Sequence, residues 1–241
     1  LNLMVGDVAG NASKIEKALK DAEAAGADLM LTPELALTGY PPKDILLNSA
    51  VIASQEKALR LLAKNCRQSA LYLGWAQPAG GHGKPLYNAG SILYKGKILA
   101  THRKMLLPFY DVFDEGRYFE TGTKLTTCLF KGKRLALTIC EDIWNDKNYR
   151  EKRNYLEDPI RDLKKIRPDL VLNISASPYW IGKPRERQQM IAAMAKRCGV
   201  AVAYANLTGG NDELIFDGAS MVINSKGRLL AQGSQFQEGL V

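Results

Sequence analysis

Apolar positions recur along the chain in two rhythms, one helical and one strand-like. From Asn11 to Asp28, "NASKIEKALKDAEAAGAD", Ile15, Ala18, Leu19 and Ala22 fall on one face, and Gly26 supplies a C-terminal stop. The spacing predicts a helix there. The same rhythm predicts helices over residues 48–69, 158–169 and 184–199. Between them lie short apolar runs of strand type: "LMLTPEL" (Leu29 to Leu35, ended by Pro33), "ALYLGWAQP" (70–78), "LVLNISAS" (170–177) and "VAVAYAN" (200–206).

Three further stretches read as hairpins. "YNAGSILYKGKILATHRKMLLP" turns at Lys95-Gly96-Lys97, and "TTCLFKGKRLALTIC" turns at Lys131-Gly132-Lys133. "ASMVINSKGRLLAQG" is the third. The opening "LNLMVGDVAGN" looks like the tail of a strand whose beginning lies upstream. Helices alternating with both single strands and hairpins predict α/β architecture with mixed sheets, and two sheets with helices outside would cover every apolar face. No linker, low-complexity tract or repeat divides the chain, so residues 1–241 read as one domain.

Composition adds little, and charge somewhat more. No apolar run has membrane-spanning length, so the expectation is a soluble, cytoplasmic protein with no membrane partner. The net charge of +8 admits nucleic acid or acidic partners. Its densest clusters, "KNYREKRN" (147–154) and "RDLKKIR" (161–167), read better as solvated helix faces, and no aromatic-basic recognition motif accompanies them. A nucleic-acid partner is not expected. The positive balance also fits a piece of a longer, more acidic protein. Four cysteines and two histidines form no C-x-x-C pair and no zinc-type spacing, so no metal site is expected. Cys66, Cys128 and Cys198 are read as structural.

Three strand ends carry reactive side chains: Glu34 in "LTPELALTGYPP", Lys104 in "THRKMLLPFYDVFDEGRYF" and Cys140 in "RLALTICEDIW". Catalytic groups of α/β proteins gather at such ends. Taken singly, each has a plainer reading. A strand-end cysteine is more often packing, the glutamate a loop carboxylate and the lysine a solvated charge. Taken together, an acid, an amine and a thiol make an acyl-transfer centre. The carboxylate removes the thiol proton, and the ammonium favours the thiolate and stabilises an oxyanion. If the strand before Cys140 turns sharply into a helix, the Glu141 N–H and the helix N-terminus add to that oxyanion site. Turn and lysine would then outweigh the adjacent acids Glu141 and Asp142.

"PELALTGYPP", "HRKMLLPFYDVFDEGRYFETG", "LTICEDIW" and "LNISASPYWIGKPRER" together resemble the nitrilase (carbon–nitrogen hydrolase) superfamily, in order and across nearly the whole chain. The resemblance implies an αββα sandwich and a triad in which Glu34 is the general base, Lys104 the oxyanion-stabilising cation and Cys140 the nucleophile. Glu115, in "FDEGRYF", matches a second glutamate held near the lysine. One branch is the most similar: the glutaminase domains of glutamine-dependent NAD+ synthetases, matched also by "TGYPPKDIL" and "NLTGGNDELIFDGASMV".

That likeness implies hydrolysis of glutamine to glutamate and ammonia through a Cys140 thioester. It also implies a C-terminal synthetase domain as partner, with ATP, Mg2+ and deamido-NAD+ used only there. The glutaminase step needs no cofactor, and homo-oligomers are common in the family. Tyr40, Tyr110, Glu141, Trp144, Ser177 and Lys183 match positions that shape the glutamine pocket. Lys183 stands where some relatives have arginine and lacks the planar fork that suits a carboxylate.

"TGGND" (208–212) lacks the serine of a synthetase phosphate loop and reads as a loop near the pocket. "GGHGKP" (80–85) lacks the Ser or Thr of a P-loop and reads as a hairpin tip. The readings left beside a glutaminase are a stand-alone amidase for another small amide or nitrile, and a non-catalytic module with a vestigial triad.

Overall fold

A computed structural model of the protein describes residues 1–146 and 155–241. The basic stretch 147–154 lies outside the described residues. Helix α1 (Val8–Ala24) begins ahead of Asn11, because Asp7 caps it by accepting the Gly10 N–H at 2.9 Å. Asn11 is buried inside the helix. Its amide donates to the carbonyls of Met4 and Leu37 at 2.8 and 3.1 Å. The predicted strand tail is absent, since residues 1–4 are irregular.

Strand β1 (Leu29–Leu31) is followed by α2 (Ser49–Asn65), β2 (Ala70–Pro78), β3 (Leu86–Tyr94) and β4 (Lys97–Arg103). These strands make one sheet in the order β1-β2-β3-β4, with β1 parallel to β2 and the rest antiparallel. Strands β1 and β4 therefore run the same way and end at the same edge.

The second sheet begins with β5 (Thr126–Phe130) and β6 (Lys133–Ile139). Beyond α3 (Pro159–Ile166) come β7 (Leu170–Ser175), α4 (Lys183–Cys198) and β8 (Ala201–Asn206). Strands β9 (Thr208–Asn211) and β10 (Leu214–Asp217) form a separate antiparallel pair where only a loop was expected at "TGGND". The chain closes with β11 (Met221–Ile223) and β12 (Leu229–Gln232). The sheet order is β12-β11-β8-β7-β6-β5, with β6, β7 and β8 mutually parallel.

Side-chain alternation builds the layers. Ala70, Tyr72 and Ile92 of the first sheet meet Leu135, Leu137, Ile139, Leu172 and Ile174 of the second. The intervening residues face outward. Leu71, Leu73 and Leu93 pack under Ile15 and Leu19 of α1 and Leu59 and Leu62 of α2. Ala136, Val171 and Val202 pack under Ile160 and Leu163 of α3 and Met190, Ile191 and Met194 of α4. Both faces of each sheet are covered, and the layer order is helix, sheet, sheet, helix, as expected from the sequence. On α3, Arg161, Lys164 and Lys165 are exposed, so this basic cluster is a solvated face. Residues 80–85 form an exposed connection between β2 and β3. Among the described residues no helix is long and apolar enough to cross a membrane.

Candidate active site

Glu34 follows β1, Lys104 follows β4 directly, and Cys140 follows β6 directly, so an acid and an amine from one sheet face a thiol from the other. Lys104 is 1% exposed, not the solvated charge that an isolated lysine suggests. Its Nζ lies 2.6 Å from Glu34 Oε1, and 2.8 and 3.0 Å from the two oxygens of Glu115. Glu34 Oε2 accepts the Ala176 N–H at 3.0 Å, just past the end of β7. Tyr40 donates its hydroxyl to Glu115 Oε1 at 2.8 Å. Four of the residues implied by resemblance, Glu34, Tyr40, Lys104 and Glu115, thus form one bonded cluster.

The Glu34 segment is pressed against β2. A Cβ on Gly74 would meet Pro33 O at 2.6 Å and Leu35 N at 2.7 Å, so only glycine lets the strand pass there. The Leu35 backbone, at φ 46°, adopts the left-handed conformation that side chains disfavour.

Cys140 has the same kind of strain, with φ 41°. The chain turns there through a single 3-10 turn, Cys140–Ile143, and not into the helix expected. The adjacent acids are engaged elsewhere. Asp142 Oδ1 accepts the backbone N–H groups of Met105 and Leu106 at 2.9 and 3.1 Å. Its Oδ2 accepts from Ile139 N at 2.9 Å and lies 2.8 Å from His102 Nε2. Glu141 accepts the Tyr110 hydroxyl at 3.1 and 3.0 Å.

The electrostatics differ from the expectation at one point. Burial disfavours the Lys104 charge, but Glu115 and Glu34 more than reverse this and hold the ammonium well above the ordinary lysine value. Burial pushes the Cys140 thiol well above its usual range, and Glu34 pushes further. Lys104 opposes them, while Glu141 and Glu115 add to the rise. The lysine therefore does not outweigh the acids, and the Cys140 environment favours the protonated thiol. Burial, and Glu34 beside it, also raise the Glu115 carboxyl against the pull of Lys104.

The remaining residues lie around this centre. Lys183, the first residue of α4, places Nζ 3.8 Å from the ring centres of both Trp144 and Trp180. Ser177 follows Ala176. Its N–H donates to Asn206 Oδ1 at 2.8 Å, and its carbonyl accepts from Arg187 at 3.4 Å. Arg187 is fully buried and forks onto Asp217 at 2.9 and 3.1 Å. A cleft of about 730 Å³ is walled by residues around 40–46, 112–119 and 211–214. Of the expected site residues, only Tyr40 and Glu115 line it.

Sequence reasoning missed Asn88, Asp142, Arg187, Asn206 and Asp217. Asn88 carried a signal, as a polar residue within the apolar run "LYNAGSIL". Arg187 did not stand apart from Arg185 in "PRERQQM". Among the described residues no group of His, Cys, Asp or Glu side chains is arranged to hold a metal ion.

The sequence profile described as carbon–nitrogen hydrolase matches residues 2–241. A glutamine-dependent NAD(+) synthetase of Synechocystis sp. is 44% identical over the whole chain, which spans 44% of that protein. One from Thermotoga maritima is 37% identical over the whole chain, which spans 40% of it. The solved structure of the enzyme from Acinetobacter baumannii, in complex with ADP, superposes with a TM-score of 0.90 at 31% identity. The match covers 99% of this chain and 43% of that one. An amidase of the nitrilase superfamily from Nesterenkonia AN1 shares the fold, with a TM-score of 0.80 at 24% identity. The chain thus spans less than half the length of the curated relatives it matches.

Proposed function

We propose that this chain, which belongs to the carbon–nitrogen hydrolase family, hydrolyses the side-chain amide of glutamine through a thioester on Cys140. The observation that carries the reading is the buried Glu34–Lys104–Glu115 cluster set against the strained turn at Cys140. The names of the relatives support glutamine as the amide.

The resting thiol needs a base at the moment of attack. Glu34 takes its proton as sulfur bonds to the amide carbon and the carbonyl electrons move to oxygen. Lys104 and the Glu141 N–H stabilise that oxyanion, a contribution of roughly 3–4 kcal/mol per well-placed donor. Collapse breaks the C–N bond, Glu34 returns the proton to nitrogen, and ammonia leaves. Water, deprotonated by Glu34, attacks the thioester. The C–S bond breaks, the sulfur regains a proton, and glutamate departs. Tyr110, Glu141, Trp144, Ser177 and Lys183 shape the amino-acid end of the pocket.

The product ammonia is consumed by a synthetase domain that uses ATP, Mg2+ and deamido-NAD+. The length of the relatives supports a partner of that kind. The test is glutamate and ammonia release from glutamine in competition with asparagine, acetamide and a small nitrile. Preference for glutamine supports the proposal. Efficient turnover of another amide, with glutamine inert, rejects it.

A further inference from the structure

In the first sheet β3 lies between β2 and β4, and Asn88 sits near its start with its side chain 1% exposed. We propose that Asn88 is a positioning residue that holds Glu34 and Glu115 about Lys104 and so sets the geometry and charge balance of the reacting cluster. Its side-chain nitrogen donates to Glu34 Oε1 at 2.7 Å and to Glu115 Oε2 at 3.2 Å. Its main-chain carbonyl accepts the Lys104 N–H at 2.8 Å. One residue thus touches all three charged members.

The chemistry explains why an amide suits this place. Two carboxylates about one ammonium carry a net negative charge in a buried site, and the carboxylates repel each other. The amide NH2 has two hydrogens, one for each carboxylate, and brings no titratable proton of its own. A lysine here would add a second full charge, and an ionised aspartate a third negative one. Charge also fixes which way the amide points. Turned over, Oδ1 would face both carboxylates. As it stands, Oδ1 is buried and meets no hydrogen-bond partner among the described residues, so the two carboxylates orient the group. Glu34 is thereby held by Lys104, Asn88 and the Ala176 N–H. A base fixed this way keeps its aim when it takes and returns the Cys140 proton.

This inference rests on the proposed roles of Glu34 and Cys140, and its test separates the two ideas. The chain is compared with its Asn88→Leu and Asn88→Asp variants in three measurements: thermal unfolding, kcat and KM for glutamine, and the rate of Cys140 alkylation by iodoacetamide across pH. For folded Asn88→Leu, kcat is expected to fall about 100-fold, with KM moving by no more than about threefold. Asn88→Asp is expected to be the poorer variant at alkaline pH and to recover toward acid pH relative to the unaltered chain. A protonated carboxyl again donates to a neighbouring carboxylate. Glu34, Glu115 and Lys104 face that side chain directly, with Tyr40 and Cys140 beyond them. Truncation of a merely structural residue would give no such recovery. Should Asn88→Leu fail to fold, the Asn88→Asp profile decides.

Unaltered kcat and alkylation in folded Asn88→Leu would overturn the proposal, as would an Asn88→Asp profile parallel to that of the unaltered chain. If glutamine is inert with every chain, the proposed function fails on its own. The alkylation profiles then decide the role of Asn88.

Discussion

The carboxylate of Asp142 and the imidazole of His102 meet at 2.8 Å, both wholly shielded from solvent. His102 is on β4 two residues before the candidate catalytic lysine, and Asp142 is in the turn that begins at Cys140. With the N–H groups of Met105 and Leu106 on its other oxygen, Asp142 ties the Cys140 turn to the Lys104 segment.

Asp142→Ala leaves those backbone donors and His102 without their acceptor. The expected cost is about 3–5 kcal/mol of stability, the scale of breaking a buried charged network. Asp142→Asn keeps the shape but can accept through only one atom, and should cost less. Urea unfolding of the two variants checks the order.

Lys104→Met is expected to abolish turnover. It is also expected to destabilise the fold by about 3–5 kcal/mol, because Glu34 and Glu115 are left buried without their cation. Adding Glu115→Gln to Lys104→Met removes one of the orphaned charges. The double variant should regain part of the stability and none of the activity, a non-additive result that a double-mutant cycle measures.

The raised Cys140 thiol has a consequence for pH. A group with an elevated pKa holds its proton to higher pH, so little thiolate is present near neutrality. Alkylation of the resting protein by iodoacetamide should therefore be slow at pH about 7 and still climbing above about 8.5, the ordinary cysteine value. Removing a negative neighbour with Glu34→Gln should shift this profile to lower pH while abolishing turnover. Mass spectrometry of the Cys140 peptide follows both.

Gly74→Ala places a methyl group against the backbone at Pro33 and Leu35. Displacement of the Glu34 segment is expected to lower kcat about 100-fold and to cost about 1–3 kcal/mol of stability. A steady-state assay beside a melting curve separates the two effects.

The elements that repeat a clear rhythm were readable from the sequence. Strand β2 falls on the predicted residues, and the turns at Gly96 and Gly132 join hairpins as expected. The errors lie where tertiary contacts override local pattern. Asn11 looks like a helix start, yet Asp7 supplies the cap and Asn11 bonds to Leu37. "TGGN" looks like a loop because its glycines and polar residues have no alternation, yet it pairs with β10. At the site, resemblance marked Glu34, Lys104 and Cys140. Local sequence could not show that Lys104 is buried between two glutamates. Nor could it show that Asp142 faces the Lys104 segment, because those contacts join residues far apart in the chain.

The proposed function rests on Cys140 as a nucleophile that takes glutamine. The direct measurement treats the chain with a diazoketone analogue of glutamine, then reads intact mass and the modified peptide with and without excess glutamine. Single labelling at Cys140, blocked by glutamine and absent in Cys140→Ser, is the expected result. Labelling elsewhere, or labelling of Cys140 that glutamine does not slow, would contradict it.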